Sequence, residues 1–179
     1  IMDGGVVVDR HLGTPQGGPL SPMLANVLLD EVDKALEVRG YSFARYADDC
    51  NVYVRSRRAG ERVLAGLTKL YERLHLKVNE TKTAVAPASR RKFLGYAFWY
   101  GSGGQVKCRV ADKALKTFKQ RIRQFTCRSG GRNLTEIAER LRAYMPGWKA
   151  YFQLAQTPNV FRELDKWIRH RLRAVQLKH

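Results

Sequence analysis

The pattern of apolar residues differs before and after residue 110 of this chain, and this difference limits the folds that the chain can adopt. Before that point, short segments rich in aromatic and β-branched residues alternate with segments whose apolar residues recur every three or four positions. After it, only the helical spacing remains. We therefore predict an α+β fold, with an antiparallel sheet and packed helices over residues 1–109 and about three helices over 110–179.

The first part contains two predicted helices and several predicted strands. One helix runs from Met23 to about Val38, after a start signal at Ser21 and Pro22, and the other from Gly60 to His75. The face of the first helix is expected to consist of Leu28, Val32 and Leu36, with Leu24 and Leu29 beside them. The strands are predicted at 41–46, 50–55, 76–79, 83–86, 93–100 and 105–110, the last two forming a hairpin.

The second part is predicted to be helical throughout. Asp112 can cap its first helix, and Asn133 with Glu136 resembles a capping box for the second. Pro146 must end or kink that second helix. A third helix follows Pro158.

The chain is strongly basic, and the excess charge is uneven. Lys and Arg number 33 against 16 Asp and Glu, a formal charge of +17, and residues 110–179 alone carry +11. Because 44% of the residues are hydrophobic, the charge belongs to a folded protein and indicates a polyanionic partner. No apolar run approaches the ~20 residues of a membrane span, and the three cysteines have no metal-ligand spacing. We expect no membrane-spanning segment, with peripheral contact with anionic lipid left open, and a reducing, cytoplasmic setting.

Two adjacent aspartates, Asp48 and Asp49, stand between two predicted strands in this basic chain. One interpretation is an ordinary turn, because Asp tolerates turn geometry. The other is a metal site, because carboxylates on a tight hairpin offer Mg²⁺ the oxygen ligands that it prefers. Two such ions can activate an attacking hydroxyl group and stabilise a leaving oxygen in phosphoryl transfer.

The surrounding motifs favour the second interpretation. Residues 46–49, YADD, have the YxDD form of the reverse-transcriptase palm, and residues 14–22, TPQGGPLSP, resemble the block that precedes the palm helix in bacterial group II intron reverse transcriptases. Residues 76–83 and 93–96 resemble the LxxNxxKT and FLG blocks of that family. Residues 146–152 and 164–173 resemble its maturase-specific thumb, domain X. The resemblance implies a partial palm over 1–109 and a helical thumb over 110–179.

Related families share parts of this pattern. The Gln16-Gly17 pair differs from the block of diversity-generating retroelements, and no VTG-like signature of retron enzymes follows. CRISPR-associated reverse transcriptases belong to the same lineage and stay open as an alternative.

The resemblance implies RNA-directed DNA synthesis from a DNA primer and deoxynucleoside triphosphates, with a group II intron RNA as the natural partner of a bacterial, cytoplasmic protein. It implies that Asp48 and Asp49 are catalytic and hold two Mg²⁺ ions, Asp48 the more directly. The nucleotide and template positions would be Gln16, Gly17, Tyr46, Ala47 and Lys82, and the primer grip would be Phe93, Leu94 and Gly95. The same residues also have structural interpretations: a plain turn at Gly17, a solvated Lys82, and core packing of Phe93 and Leu94.

One part of the family site has no match in the chain. The family uses a third carboxylate from an earlier palm strand, and the first 13 residues hold only Asp3 and Asp9, outside any matching block. Fingers and the residue that discriminates against ribose are also unmatched. The resemblance therefore implies a palm and thumb piece of a longer enzyme, and we expect the 179 residues alone not to polymerise.

The basic helices give the chain a second role, in binding RNA through phosphate contacts. The candidates are Arg121, Arg123, Arg128, Arg132, Arg169 and Arg173. Trp148, Tyr151, Phe152 and Trp167 can stack on bases, but their spacing favours helical core. A rival interpretation is a non-catalytic RNA-binding maturase module, and a third is a general DNA-binding domain. The sequence does not determine the oligomeric state.

Overall fold

The computed structural model describes residues 18–127 and 133–177 in full, and residues 2–3 and 6–7 through their backbone. The chain folds into two compact units, Ile1–Ala86 and Pro87–His179. Both contain helices and antiparallel strands, which confirms the predicted α+β class.

The first unit contains two long helices and two antiparallel pairs of strands. The elements are β1 (Met2–Asp3), β2 (Val6–Val7), α1 (Ser21–Val38), β3 (Ser42–Tyr46), β4 (Asp49–Tyr53) and α2 (Arg57–Arg73). α1 ends where Gly40 takes φ = 68° and its N–H donates to the carbonyl of Glu37. Ser56 starts α2, because its hydroxyl accepts the N–H of Ala59.

The core of the first unit lies between the helices and the hairpin β3–β4. It is built from Leu29, Val32 and Leu36 of α1 and Leu70 of α2, and Phe43 and Val52 of the hairpin pack against it. The opposite side of α1 near its start remains apolar but exposed. Its members are Leu20, Met23, Leu24, Val27 and Leu28.

The second unit combines a three-stranded antiparallel sheet with three helices. The elements are β5 (Lys92–Phe93), β6 (Tyr96–Tyr100), β7 (Val106–Val110), α3 (Asp112–Phe125), α4 (Leu134–Tyr151) and α5 (Pro158–Gln176). Apolar residues of all three helices, including Ile122, Ile137 and Ile168, form one core. The Asn133 side chain accepts the N–H of Glu136 at 2.8 Å, so the predicted start of α4 is confirmed.

The structure corrects the prediction of strands at 76–79 and 83–86, because both segments lack strand pairing. Asn79 causes the first difference. Its side-chain oxygen accepts the hydroxyl of Thr81 at 2.7 Å and the N–H of Lys82 at 3.2 Å, which turns the chain. The second segment packs on α2 instead, where Val85 fills the space left by the missing side chain of Gly60.

Three smaller predictions also differ from the structure. Leu28 is exposed and Leu29 is buried, so the apolar face of α1 is rotated from the predicted one. Asp112 lies inside the first turn of α3 instead of capping it. Of the two outcomes predicted at Pro146, an end or a kink of α4, the end does not occur, because Trp148 beyond it packs against Phe118 with ring centroids 4.2 Å apart.

The predicted boundary at 109/110 marks the change from strand to helix, and the compact units divide earlier. β7 belongs to the second unit because it bonds with the segment after α4. The carbonyl of Cys108 accepts the N–H of Gln156 at 2.8 Å, and the N–H of Cys108 donates to the Gln156 side chain at 3.2 Å. The assignment of these parts as palm and thumb stays a prediction.

Candidate active site and basic helical surface

The acidic pair lies on the tight turn of the hairpin β3–β4. Tyr46 pairs with Asp49 at the end of the ladder, which leaves Ala47 and Asp48 as a two-residue turn. Ala47 has φ = 52°, a left-handed conformation that suits glycine and strains a residue with a Cβ. Strained turns of this kind are over-represented at functional sites, and the small side chain at position 47 leaves the turn open to approach.

A half-buried arginine holds this turn in place. Arg45 donates from Nε to both carboxylate oxygens of Asp33, at 2.8 and 2.9 Å, and from Nη1 to the carbonyl of Ala47 at 3.0 Å. The same Nη1 donates to the side-chain oxygen of Asn26 at 3.0 Å. Because Asn26 and Asp33 both belong to α1, Arg45 connects the helix to the acidic turn. The hydrogen bond with Asp33 raises the pKa of Arg45, so its charge is permanent.

Sequence reasoning missed this arginine, although a signal exists. Asn26 and Asp33 are seven residues apart, two turns of one helix, and therefore share a face. Arg45 precedes the aspartate pair by three residues in a strand, where its guanidinium group can reach such a face.

Asp48 and Asp49 are themselves exposed. Within residues 18–127 and 133–177, no group of three or more His, Cys, Asp or Glu side chains is arranged to hold a metal ion. Two carboxylates on one tight turn nevertheless match the hard-oxygen chemistry that Mg²⁺ requires, and they make up two of the three ligands that the resemblance implies.

Behind the turn, the hairpin presents a neutral thiol. Cys50 follows Asp49 and is half-buried against the core. Burial raises its pKa, and the Asp33 carboxylate raises it further, while Arg45 acts in the opposite direction. Cys50 thus stays protonated at neutral pH and adds no negative charge beneath the acidic pair.

Among the other predicted nucleotide-site residues that the structure describes, Tyr46 lies beside the turn and Lys82 does not. Lys82 is exposed and lies in the separate turn that Asn79 caps. Gln16 and Gly17 fall outside the described residues. Tyr46 is 64% exposed at the end of β3, and its contact with nucleotide or template stays a prediction.

The predicted primer-grip residues form the sharp turn between β5 and β6 in the second unit. Leu94 and Gly95 both take left-handed conformations, with φ = 51° and 78°. A Cβ on Gly95 would lie 3.1 Å from the ring of Phe152, so close packing as well as the left-handed conformation favours glycine there. The hydroxyl of Tyr151 donates to the carbonyl of Leu94 at 3.0 Å. These contacts give the segment a structural role, and its predicted contact with primer stays a prediction.

The six predicted RNA-binding arginines differ in their surroundings. Arg121 lies over the ring of Phe125, at 4.9 Å from its centroid, and Arg169 forms an ion pair with Asp165 at 2.9 Å. Arg173 is exposed near the end of α5. Arg128 and Arg132 fall outside the described residues.

Arg123 belongs to a basic cluster that the sequence did not predict. Its guanidinium group lies 5.6 Å from the ring centroid of Trp167, and Lys119 and Arg171 lie at 5.8 and 5.4 Å from the same ring. The sequence shows part of this cluster, because Lys119 and Arg123 stand four residues apart in one helix, and Trp167 and Arg171 stand four apart in another. Trp148, Phe152 and Trp167 pack on the interior of this unit, which confirms the predicted core role for these three, whereas Tyr151, predicted with them, is 55% exposed.

In the described part of the chain, none of the helices is long and apolar enough to cross a lipid bilayer.

Two family models match the chain in succession. The model for reverse transcriptase (RNA-dependent DNA polymerase) matches residues 7–98. The model for the group II intron, maturase-specific domain matches residues 115–179. A curated relative, the Retron Ec86 reverse transcriptase of Escherichia coli, is 28% identical over 118 residues, which make up 63% of this chain and 35% of that protein. The chain thus spans well under two thirds of the length of this relative.

Proposed function

Because the chain belongs to the reverse transcriptase family and continues into the maturase-specific domain of group II introns, we propose that it is a palm and thumb part of an RNA-directed DNA polymerase that also acts as an intron-splicing maturase. The observation that carries this proposal is the acidic turn. Asp48 and Asp49 lie at the end of a hairpin that Arg45 fixes to α1, inside the segment that the polymerase family model matches.

The proposed reaction is attack of a primer 3′-hydroxyl group on the α-phosphate of a deoxynucleoside triphosphate. A bond forms between the primer 3′-oxygen and the α-phosphorus, the hydroxyl proton is released to solvent, the bond from the α-phosphorus to the oxygen that bridges to the β-phosphate breaks, and pyrophosphate leaves. The protein contributes mainly by positioning these groups and by balancing charge. The rigid connection from α1 through Arg45 to the turn supports this role, because a carboxylate on a mobile loop would position the groups poorly.

Asp48 and Asp49 are the residues that would hold Mg²⁺ in this site. When bound, the metal supplies positive charge where the transferred phosphoryl group becomes more negative. Ala47 keeps the turn narrow so that a primer end can approach. Gln16, Gly17 and Lys82 are proposed to line the nucleotide and template site, and Phe93, Leu94 and Gly95 to support the primer.

We further propose that the 179 residues do not polymerise by themselves. Two carboxylates are too few for two metal ions, since each ion takes several oxygen ligands. The coverage of only 35% of the curated relative supports a role as part of a longer polypeptide. The proposed partners are a group II intron RNA, an RNA template with a DNA primer, and deoxynucleoside triphosphates.

A primer-extension assay with poly(rA), oligo(dT) and Mg²⁺ tests this proposal. We expect no product from the 179 residues, and template-dependent product from a polypeptide that adds a fingers segment and a carboxylate-bearing palm strand. Both proteins should bind structured RNA. Synthesis by the 179 residues alone would contradict the proposed need for a third carboxylate.

The basic helices support a second candidate, in which this chain is a non-catalytic RNA-binding maturase module. The net charge of +17 and the match of residues 115–179 to the maturase-specific domain support this second candidate. The two functions differ in their response to loss of the acidic pair: RNA binding and assisted splicing would persist, whereas DNA synthesis would not. Equal affinity for duplex DNA and intron RNA at matched salt would instead favour a general DNA-binding domain.

A further inference from the structure

Three cationic side chains from two helices meet at one indole ring in the second unit. Lys119 and Arg123 of α3 and Arg171 of α5 all lie within 6 Å of the ring centroid of Trp167. We call these four residues the Trp167 cluster. Lys119, Arg171 and Trp167 are half-buried, while Arg123 is exposed, so the cluster lies at the surface over the helical core.

The helices fix the positions of these cations. Lys119 and Arg123 are one helical turn apart on α3, as are Trp167 and Arg171 on α5. Arg171 donates from Nε to the hydroxyl of Thr126 at 2.8 Å and from Nη2 to the carbonyl of Thr126 at 3.3 Å. Thr126 is fully buried, and its hydroxyl donates in turn to the carbonyl of Ile122 at 2.8 Å. The guanidinium group of Arg171 is therefore held in place before any ligand arrives.

Two neighbouring cations on α5 form ion pairs within the protein, in contrast to the two from α3. Arg169 pairs with Asp165 and Lys166 pairs with Glu163, each at 2.9 Å. For Lys119 and Arg123, no ion pair with a carboxylate is found among the residues that the structure describes. Since like charges repel, the arrangement favours binding of an anion that contacts several of the cations together.

We propose that the Trp167 cluster is a phosphate-binding site for the backbone of structured RNA. Lys119, Arg123 and Arg171 contact phosphate oxygens, and Trp167 is a positioning residue that holds the cations instead of stacking on a base. Guanidinium groups match phosphate geometry, and successive phosphates of one RNA strand can reach cations from two helices. The site deepens the proposed function, because it rests on RNA being the polyanion that the basic unit binds.

The test measures binding of the full chain to a fluorescein-labelled RNA stem-loop by anisotropy across a series of KCl concentrations. We expect Lys119→Gln with Arg123→Gln to lower the affinity about tenfold and to reduce the slope of log affinity against log salt by about 1.5 to 2. The control, Lys113→Gln with Arg142→Gln, removes two exposed charges from the same unit and should change the affinity less than about threefold. Lys119→Arg with Arg123→Lys keeps both charges and should bind like the unmodified protein.

Trp167→Phe tests the positioning role separately. A phenyl ring attracts cations less than an indole does, so the affinity should fall while the salt slope stays the same, because the phosphate contacts are still made. A fall in affinity for single-stranded poly(rU) that exceeds the fall for the stem-loop would indicate base stacking and overturn the positioning role.

Two failures are distinguishable. If the unmodified chain binds RNA with a steep salt dependence but the cluster variant and its control lose the same affinity, the Trp167 cluster is not the site and the proposed RNA binding stands. If the unmodified chain does not bind the stem-loop, the proposed function and the site both fail. Equal competition by poly-glutamate and by unlabelled RNA at matched charge would show a site for acidic protein, which also overturns the proposal. A thermal unfolding midpoint equal to that of the unmodified protein checks that each variant is folded.

Discussion

Arg45 and Asp33 form a two-point ion pair that connects the acidic turn to the first helix. The carboxylate of Asp33 accepts hydrogen bonds at 2.8 and 2.9 Å, and the Arg45 side chain, 12% exposed, also donates to the carbonyl of Ala47. A turn that carries two exposed carboxylates is thereby positioned by a helix that also forms part of the core. Loss of the ion pair should affect both folding and activity.

Arg45→Met should lower the free energy of unfolding by about 2 kcal/mol, because it leaves the partly buried Asp33 without its partner. Chemical denaturation followed by circular dichroism measures this. The control Lys34→Met breaks the exposed pair between Lys34 and Asp30 and should leave the midpoint unchanged. Equal effects of the two substitutions would contradict the role assigned to Arg45.

Ala47→Gly should raise the free energy of unfolding by about 0.5 kcal/mol, since relief of the left-handed strain exceeds the added flexibility of the unfolded chain. Ala44→Gly, in the ordinary strand conformation of β3, should lower it by a similar amount or more. Opposite signs in the same denaturation experiment would support the strained turn. Destabilisation by both would count against it.

Leu36→Ala should cost about 3 kcal/mol, because Leu36 is 1% exposed and its removal leaves a cavity. Leu24→Ala, on the exposed side of the same helix at 51% exposure, should change stability by less than about 0.5 kcal/mol. Paired melts of the two variants measure the difference. A large loss from Leu24→Ala would mean that the apolar side of α1 is covered in solution.

Cys50 should react with iodoacetamide more slowly than the exposed Cys127 at neutral pH, because burial raises the pKa of its thiol and limits access to it. The pKa of the Cys50 thiol is higher in the folded state than in the unfolded state. The contribution of this thiol to the free energy of unfolding is therefore fully present at pH values below its unfolded-state pKa. That stability is lost as pH rises through the folded-state value. Peptide mapping after timed alkylation gives the two rates. Faster labelling of Cys50 would refute its placement against the core.

Much of this fold could be predicted from local signals. The hairpin with Asp48 at its tip follows from two β-rich segments around a short polar turn, and the start of α4 follows from Asn133 and Glu136. The family motifs around the aspartate pair then indicated a catalytic role for it, which a turn alone does not indicate. These features depend on residues close together in sequence, which is why pattern reasoning reaches them.

Features that depend on distant residues leave only partial signals, such as a shared helix face, and these signals do not say which residues meet. The bond from Arg45 to Asp33 spans 12 positions, and the Trp167 cluster joins two helices whose packing is decided by the core. The failed strand at 83–86 has the same origin, because Val85 packs on Gly60 and has no strand to pair with among the described residues. At this segment, tertiary packing determines the conformation in spite of the local β propensity.

The most direct test of the central claim measures Mg²⁺-dependent primer extension by the longer polypeptide that includes this chain, with Asp48→Asn and Asp49→Asn combined. We predict a loss of at least about a thousandfold in rate, about 4 kcal/mol, because both metal-holding carboxylates are gone, while RNA affinity is kept. The control Asp30→Asn with Glu31→Gln removes two exposed carboxylates from α1 and should retain activity. Synthesis that survives the Asp48 and Asp49 changes, or falls equally in the control, would contradict the assignment of the acidic turn to catalysis.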